Sequence, residues 1–191
     1  MLDDFYTASI TEALDFADTH YWTRQPPRSD SARLRFLATR YPDLGALASG
    51  LGTKPHPVKA VMKGRRSAPG SMLSQAIAKD VVRLWQPRVR RRAHHLISTG
   101  HDGILVHFKA WFGFTGAAGS SDDGRERHIT ERLPTAYAAQ LFQARYRNAD
   151  EGELREIIAD AVGEAYFNVS PRGKLHWVRL TDIVYIEFSY Y

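Results

Sequence analysis

Near residue 100 the periodicity of the chain changes, and this change constrains the fold more than any single motif does. Before it, apolar residues recur at helical spacing: Phe5, Ile10, Leu14 and Phe16 among the acids of 3–18, with Thr11 as a cap candidate. The polar segment 23-TRQPPRSDS-31 reads as a connector ending in a cap at Ser29 or Asp30, and Leu34, Leu37, Ala38 and Tyr41 then form a helical stripe that stops at Pro42. Three short helices are predicted over 43–50, 55–63 and 70–84. After the change, 103-GILVHFKAWFGFTG-116 is rich in β-branched and aromatic residues between glycines, which predicts a strand or a bent strand pair. A loop over 116–127 and a short strand over 128–134 follow. Pro134 opens a helix over 135–147, and a second helix, 150–165, presents Leu154, Ile157, Ile158, Ala161, Val162 and Ala165 on one face. The last segment, 174–191, reads as a strand, a turn near Thr181-Asp182 and another strand. The class is therefore α+β: an all-helical domain over 1–97 and an α+β domain over 98–191 with a small, mainly antiparallel sheet.

Within the helical half, 43-DLGALASGLG-52 can bury Leu44, Leu47 and Leu51, Ala48 is small enough for a close crossing, and Gly52 suits a turn with positive φ. Val58 and Val61 follow as an inward pair, and Gly64 stands where that second helix should stop. Pro55 and Pro57 fall in the opening turn of the second helix, with Thr53 or Lys54 as the cap. There a missing N–H carries little penalty.

These residues, Leu47-Ala48-Ser49-Gly50-Leu51-Gly52, Val58 and Gly64-Arg65-Arg66, resemble in register the lambda-repressor-like, Cro-type helix-turn-helix family, over about residues 31–84. Thr53 and Lys54 stand where that family carries an aliphatic residue and then Ser or Thr. The resemblance implies a DNA-binding domain, usually acting as a dimer on a two-fold operator. On the outward face of the second helix, Lys54, His56 and Lys59 would reach base edges, beside Lys63, while Arg65 and Arg66 would meet phosphates.

The charge distribution fits such a partner. Net charge is only +5, but between Lys54 and Arg92 eleven Lys and Arg face one acid, Asp80. The run 83-RLWQPRVRRRAHH-95 would either extend the anion-binding surface or act as a basic linker, with Pro87 as a hinge. There is no cysteine, which removes disulfides, thiolate metal sites and cysteine nucleophiles. The acidic N-terminus and the lack of a long apolar run predict a cytoplasmic chain with no membrane partner.

His94, His95, His101 and His107 raise a metal or nuclease reading, but no H-E-x-x-H pair occurs and Asp102 is the only nearby carboxylate. Glu151, Glu153, Glu156, Asp160 and Glu164 read as the solvated side of a helix. No phosphate loop or nucleophile elbow is present, so no catalytic residue, metal or cofactor is expected and the chain is not read as an enzyme. The C-terminal aromatics suggest a core plus an interface, with a terminal strand able to pair across a dimer axis. The expected function is a sequence-specific transcriptional regulator or repressor of bacterial or phage type, a homodimer on double-stranded DNA. One alternative is a protein-interaction or inhibitor protein of a mobile element acting through the C-terminal domain, and another is a nucleic-acid-processing enzyme.

Overall fold

The computed structural model describes residues 7–64, 69–115, 125–167 and 177–190. It is α+β, with helices α1 (Ile10–Asp18), α2 (Asp30–Ala38), α3 (Leu44–Gly50), α4 (Pro55–Met62), α5 (Ser71–Leu84) and α6 (Pro87–Thr99) preceding the strands β1 (Ile104–Thr115) and β2 (Arg125–Leu133). Helices α7 (Thr135–Tyr146) and α8 (Glu151–Ala165) and strand β3 (Trp177–Tyr190) complete it. The chain divides into two compact units, Tyr21–Arg90 and Met1–His20 with Arg91–Tyr191. The boundary expected near residue 97, with the first helix in the helical half, therefore differs from this division.

The physical reason lies in the polar groups of α1. Ser9 caps the helix by accepting from the Glu12 N–H, and the Glu151 carboxylate accepts from the Ser9 hydroxyl at 2.8 Å, the Ile10 N–H at 2.9 Å and the Thr11 N–H at 3.0 Å. A carboxylate 140 residues away thus satisfies the first turn of α1. Further along, Asp15 pairs with Arg145 at 2.6 Å, and the buried carboxylate of Asp18 meets the buried ring of His94 at 2.6 Å. No local pattern announces partners so distant.

In this unit β1 is the central strand of an antiparallel sheet ordered β2-β1-β3. Its alternate residues Ile104, Val106, Phe108, Ala110 and Phe112 are buried, joined by Ile129 and Leu133 from β2 and by Leu180, Ile183, Ile186 and Phe188 from β3. Helices α8 and α1 pack on β3, and α7 packs on α8. Of the two expectations for 103–116, a strand or a bent strand pair, the single strand β1 is the one found. The turn expected at Thr181-Asp182 is instead a pair of register shifts within the continuous β3, opposite Lys109 to Trp111, with Asp182 at φ 35°. Extra residues in one strand increase local twist without ending the ladder, so a turn-like dipeptide can sit inside it.

In the Tyr21–Arg90 unit, α2 to α5 enclose one core of Leu34, Leu37, Leu47, Ala48, Leu51, Val58, Val61, Ile77 and Val81. Ser29 caps α2 and Asp43 caps α3 through the N–H groups of Ala32 and Ala46. Of the two cap candidates for α2, Ser29 is the one used. The break between helices expected at Pro87 falls just before it. Trp85 is extended, Gln86 takes φ 46°, and Pro87 occupies the first position of α6, where its ring is harmless.

Candidate nucleic-acid interface

The turn between α3 and α4 follows from a single glycine. Gly52 has φ 65°, its N–H reaches the Ser49 carbonyl at 3.0 Å, and the Thr53 N–H reaches the Ala48 carbonyl at 2.9 Å. These two bonds close α3 in the Schellman manner, which favours a left-handed residue at that position. A Cβ there would meet nothing, so the demand is on the backbone and not on space. Gly64, at φ 68°, ends α4 in the same region.

Helix α4 begins with Lys54 as the cap, whose side chain makes no capping bond, and Pro55 is its first helical residue. Pro57 lies two residues on, so two of the N–H groups normally left open at a helix start are missing. The remaining positive end is weaker than usual for an anion, and recognition falls to side chains. Val58 and Val61 are buried, each contributing about 1.5–3 kcal/mol. That leaves Lys54, His56 and Lys59 exposed along the opposite side, with Lys63 exposed just beyond the helix.

The outward disposition expected for Lys54, His56, Lys59 and Lys63 is thus the one observed. Arg65 and Arg66 lie outside the described residues. Among the described residues, no side chain of the three lysines forms a hydrogen bond or ion pair, whereas each nearby acid is engaged. Asp30 accepts from Ser74 at 2.6 Å, Asp43 caps α3, and Asp80 accepts from the Tyr41 hydroxyl at 2.7 Å and from Arg83 Nε at 2.8 Å. Burial, then the hydrogen bond and charge of Asp80, hold the Tyr41 phenol above its ordinary pKa, so it stays a donor. The unit contains fourteen Lys and Arg against three Asp and no Glu. Its surface is therefore a cationic field with little internal compensation.

The arginine run is divided between α5 and α6. Arg83 belongs to α5 and is tied to Asp80, Arg90 donates to the carbonyls of Val82 and Arg83 at the end of α5, and Arg88 is exposed. Arg91 and Arg92 are exposed on α6. A basic linker was one expectation; most of the run is instead helical, because Pro87 starts α6.

The histidines do not gather. His94 is buried, stacked on Phe142 with centroids 3.7 Å apart, and its second ring nitrogen lies 2.8 Å from the Tyr146 hydroxyl. His107 is on the sheet between Thr130 at 2.6 Å and Tyr185 at 2.9 Å, while His95 and His101 are exposed. Among the described residues no three His, Asp or Glu side chains are placed to hold a metal ion. Of the acids of α8, Glu151 departs from the expected solvated side by capping α1, while Glu164 is exposed and accepts from the Tyr137 hydroxyl at 2.8 Å.

The expected pairing of the terminal strand across a dimer axis would use the outer edge of the sheet at β3. The outer edge of β3 donates once, from the Ile186 N–H to the Thr7 carbonyl at 2.8 Å, and the other edge strand, RERHITERL, carries three exposed charges, Arg125, Glu126 and Arg132. No described helix is long and apolar enough to cross a membrane. Comparison with known proteins returns no matching family model, no similar curated protein and no similar solved structure.

Proposed function

We propose that α3 and α4 form a helix-turn-helix of the lambda-repressor-like kind and that the chain is a sequence-specific regulator of double-stranded DNA, of bacterial or phage type. The observation that carries this reading is the set of exposed side chains Lys54, Lys59 and Lys63 beside His56, without partners among the described residues, along a helix and its C-cap anchored by Val58 and Val61 and preceded by the Gly52 turn. In this reading Lys54, His56 and Lys59 contact base edges, and Lys63, Arg65 and Arg66 contact phosphates. Two copies would read half-sites about one helical turn apart.

Selection of bound duplexes from a random pool tests this. Enrichment of one motif, with two-fold symmetry if a dimer binds, is the expected outcome. A selected pool as diverse as the starting one would reduce the interaction to charge attraction and remove the regulator reading.

A further inference from the structure

A groove of about 700 Å³ lies within the Tyr21–Arg90 unit, formed by the connector before α2, by α2 itself and by the α5–α6 junction. Its lining is one-sided in charge. The exposed side chains of Arg24, Arg40 and Arg88 line it, and no carboxylate does. Its apolar wall is two half-buried rings, Phe36 and Trp85, with centroids 4.9 Å apart and planes at 69°. The Arg40 guanidinium lies 5.1 Å above the Phe36 ring.

This wall is held in place. The Trp85 indole N–H donates to the Arg24 carbonyl at 2.9 Å. Beside it Gln86 adopts φ 46°, a region a side chain occupies only at some cost, and its side-chain carbonyl accepts from the Thr23 N–H at 2.9 Å. The junction is thereby locked with the indole against the groove. The three acids of the unit are all engaged elsewhere, so among the described residues these arginines have no carboxylate partner and an anion entering the groove would supply one. Apolar rings beside exposed guanidiniums suit a ligand that joins a planar ring to a phosphate.

We propose that this groove binds a nucleoside phosphate, the base against Trp85 and Phe36 and the phosphate against Arg24, Arg40 and Arg88. The site is separate from duplex reading by α4, none of whose residues lines it. A free nucleotide and the phosphorylated end of a single strand present the same chemistry, and the test distinguishes them.

The full chain is titrated calorimetrically with ADP, GDP, CDP and UDP, with the parent nucleosides, with pyrophosphate, and with a short 5′-phosphorylated oligodeoxynucleotide. At least one nucleotide or the oligonucleotide should saturate at about ten-fold or more tighter affinity than nucleoside or pyrophosphate alone. Arg40→Gln and Arg88→Gln, both at exposed positions, should each weaken it by about ten-fold. Lys59→Ala should leave it unchanged even where duplex binding is lost, so the two readings fail separately. Tighter binding of the oligonucleotide with the same arginine dependence assigns the site to a strand end, and tighter binding of a diphosphate assigns it to a free nucleotide. Absence of saturable binding, pyrophosphate binding as tightly as any nucleotide, or affinity indifferent to both arginine substitutions would overturn the proposal.

Discussion

The two units use their charged groups in opposite ways. Tyr21–Arg90 holds fourteen Lys and Arg against three Asp, a net +11, while the rest of the chain holds twelve against eighteen Asp and Glu, a net −6. In the acidic unit several of the polar groups face inward and hold elements together: Asp15 on Arg145, Asp18 on His94, Glu151 on the start of α1, and Tyr137 on Glu164. In the basic unit the acids are consumed and the lysines of α4 remain exposed without partners among the described residues. Charge that is paired across long sequence separations stabilises a fold, whereas charge left exposed over an apolar anchor is available to a partner.

Four substitutions sharpen or break that contrast. The largest effect is expected at neither kind of charge but at the sheet core. Phe108→Ala, fully buried on the central strand, should cost about 3–5 kcal/mol in urea unfolding, and a loss below 1 kcal/mol would mean β1 is not central. Next comes Asp18→Ala, which leaves the buried His94 ring nitrogen without its acceptor. About 1–3 kcal/mol should be lost, and no loss would mean the pair is decorative.

Glu151→Gln is expected to cost about 1 kcal/mol at neutral pH, with a distinctive pH profile. Burial by itself raises this carboxyl's pKa, but hydrogen bonds from Thr11, Ser9 and Ile10 together bring it below the ordinary 4.5. A lowered folded pKa stabilises the fold above that ordinary value, and the contribution disappears as pH falls through the folded value. Wild type and variant stabilities should therefore differ at pH 7 and converge in acid; a constant gap would remove Glu151 from the capping role. The smallest stability effect belongs to Lys59→Ala, within about 0.5 kcal/mol by thermal unfolding, because its side chain is exposed and has no partner among the described residues.

The fold was legible where local rules decide. The start of α4 at Pro55, the turn at Gly52 and the apolar stripes of α3, α4 and α5 follow from proline and glycine geometry and from helical spacing. The place of α1 was not legible, since its amphipathic stripe fits any apolar surface and its deciding partner is Glu151. Thr181-Asp182 misled because the same dipeptide serves a turn and a bulge. For the candidate site, the outward position of Lys54, His56 and Lys59 could be read from the inward pair Val58 and Val61. The groove could not, because Arg24, Phe36, Arg40 and Trp85 come together only through the packing of α2 against α5 and the kink at Gln86; the basic and aromatic mixture in 83-RLWQPR-88 was its only local trace.

The account turns on whether the exposed side of α4 reads bases. The most direct measurement compares affinity for a selected duplex with affinity for its scrambled counterpart, in wild type and in Lys59→Ala, at physiological salt. The wild type should prefer the selected duplex, and the substitution should reduce that preference by about ten-fold, as loss of a base contact does. If wild type shows no preference, or if Lys59→Ala weakens both duplexes equally, α4 contributes charge alone and does not read sequence.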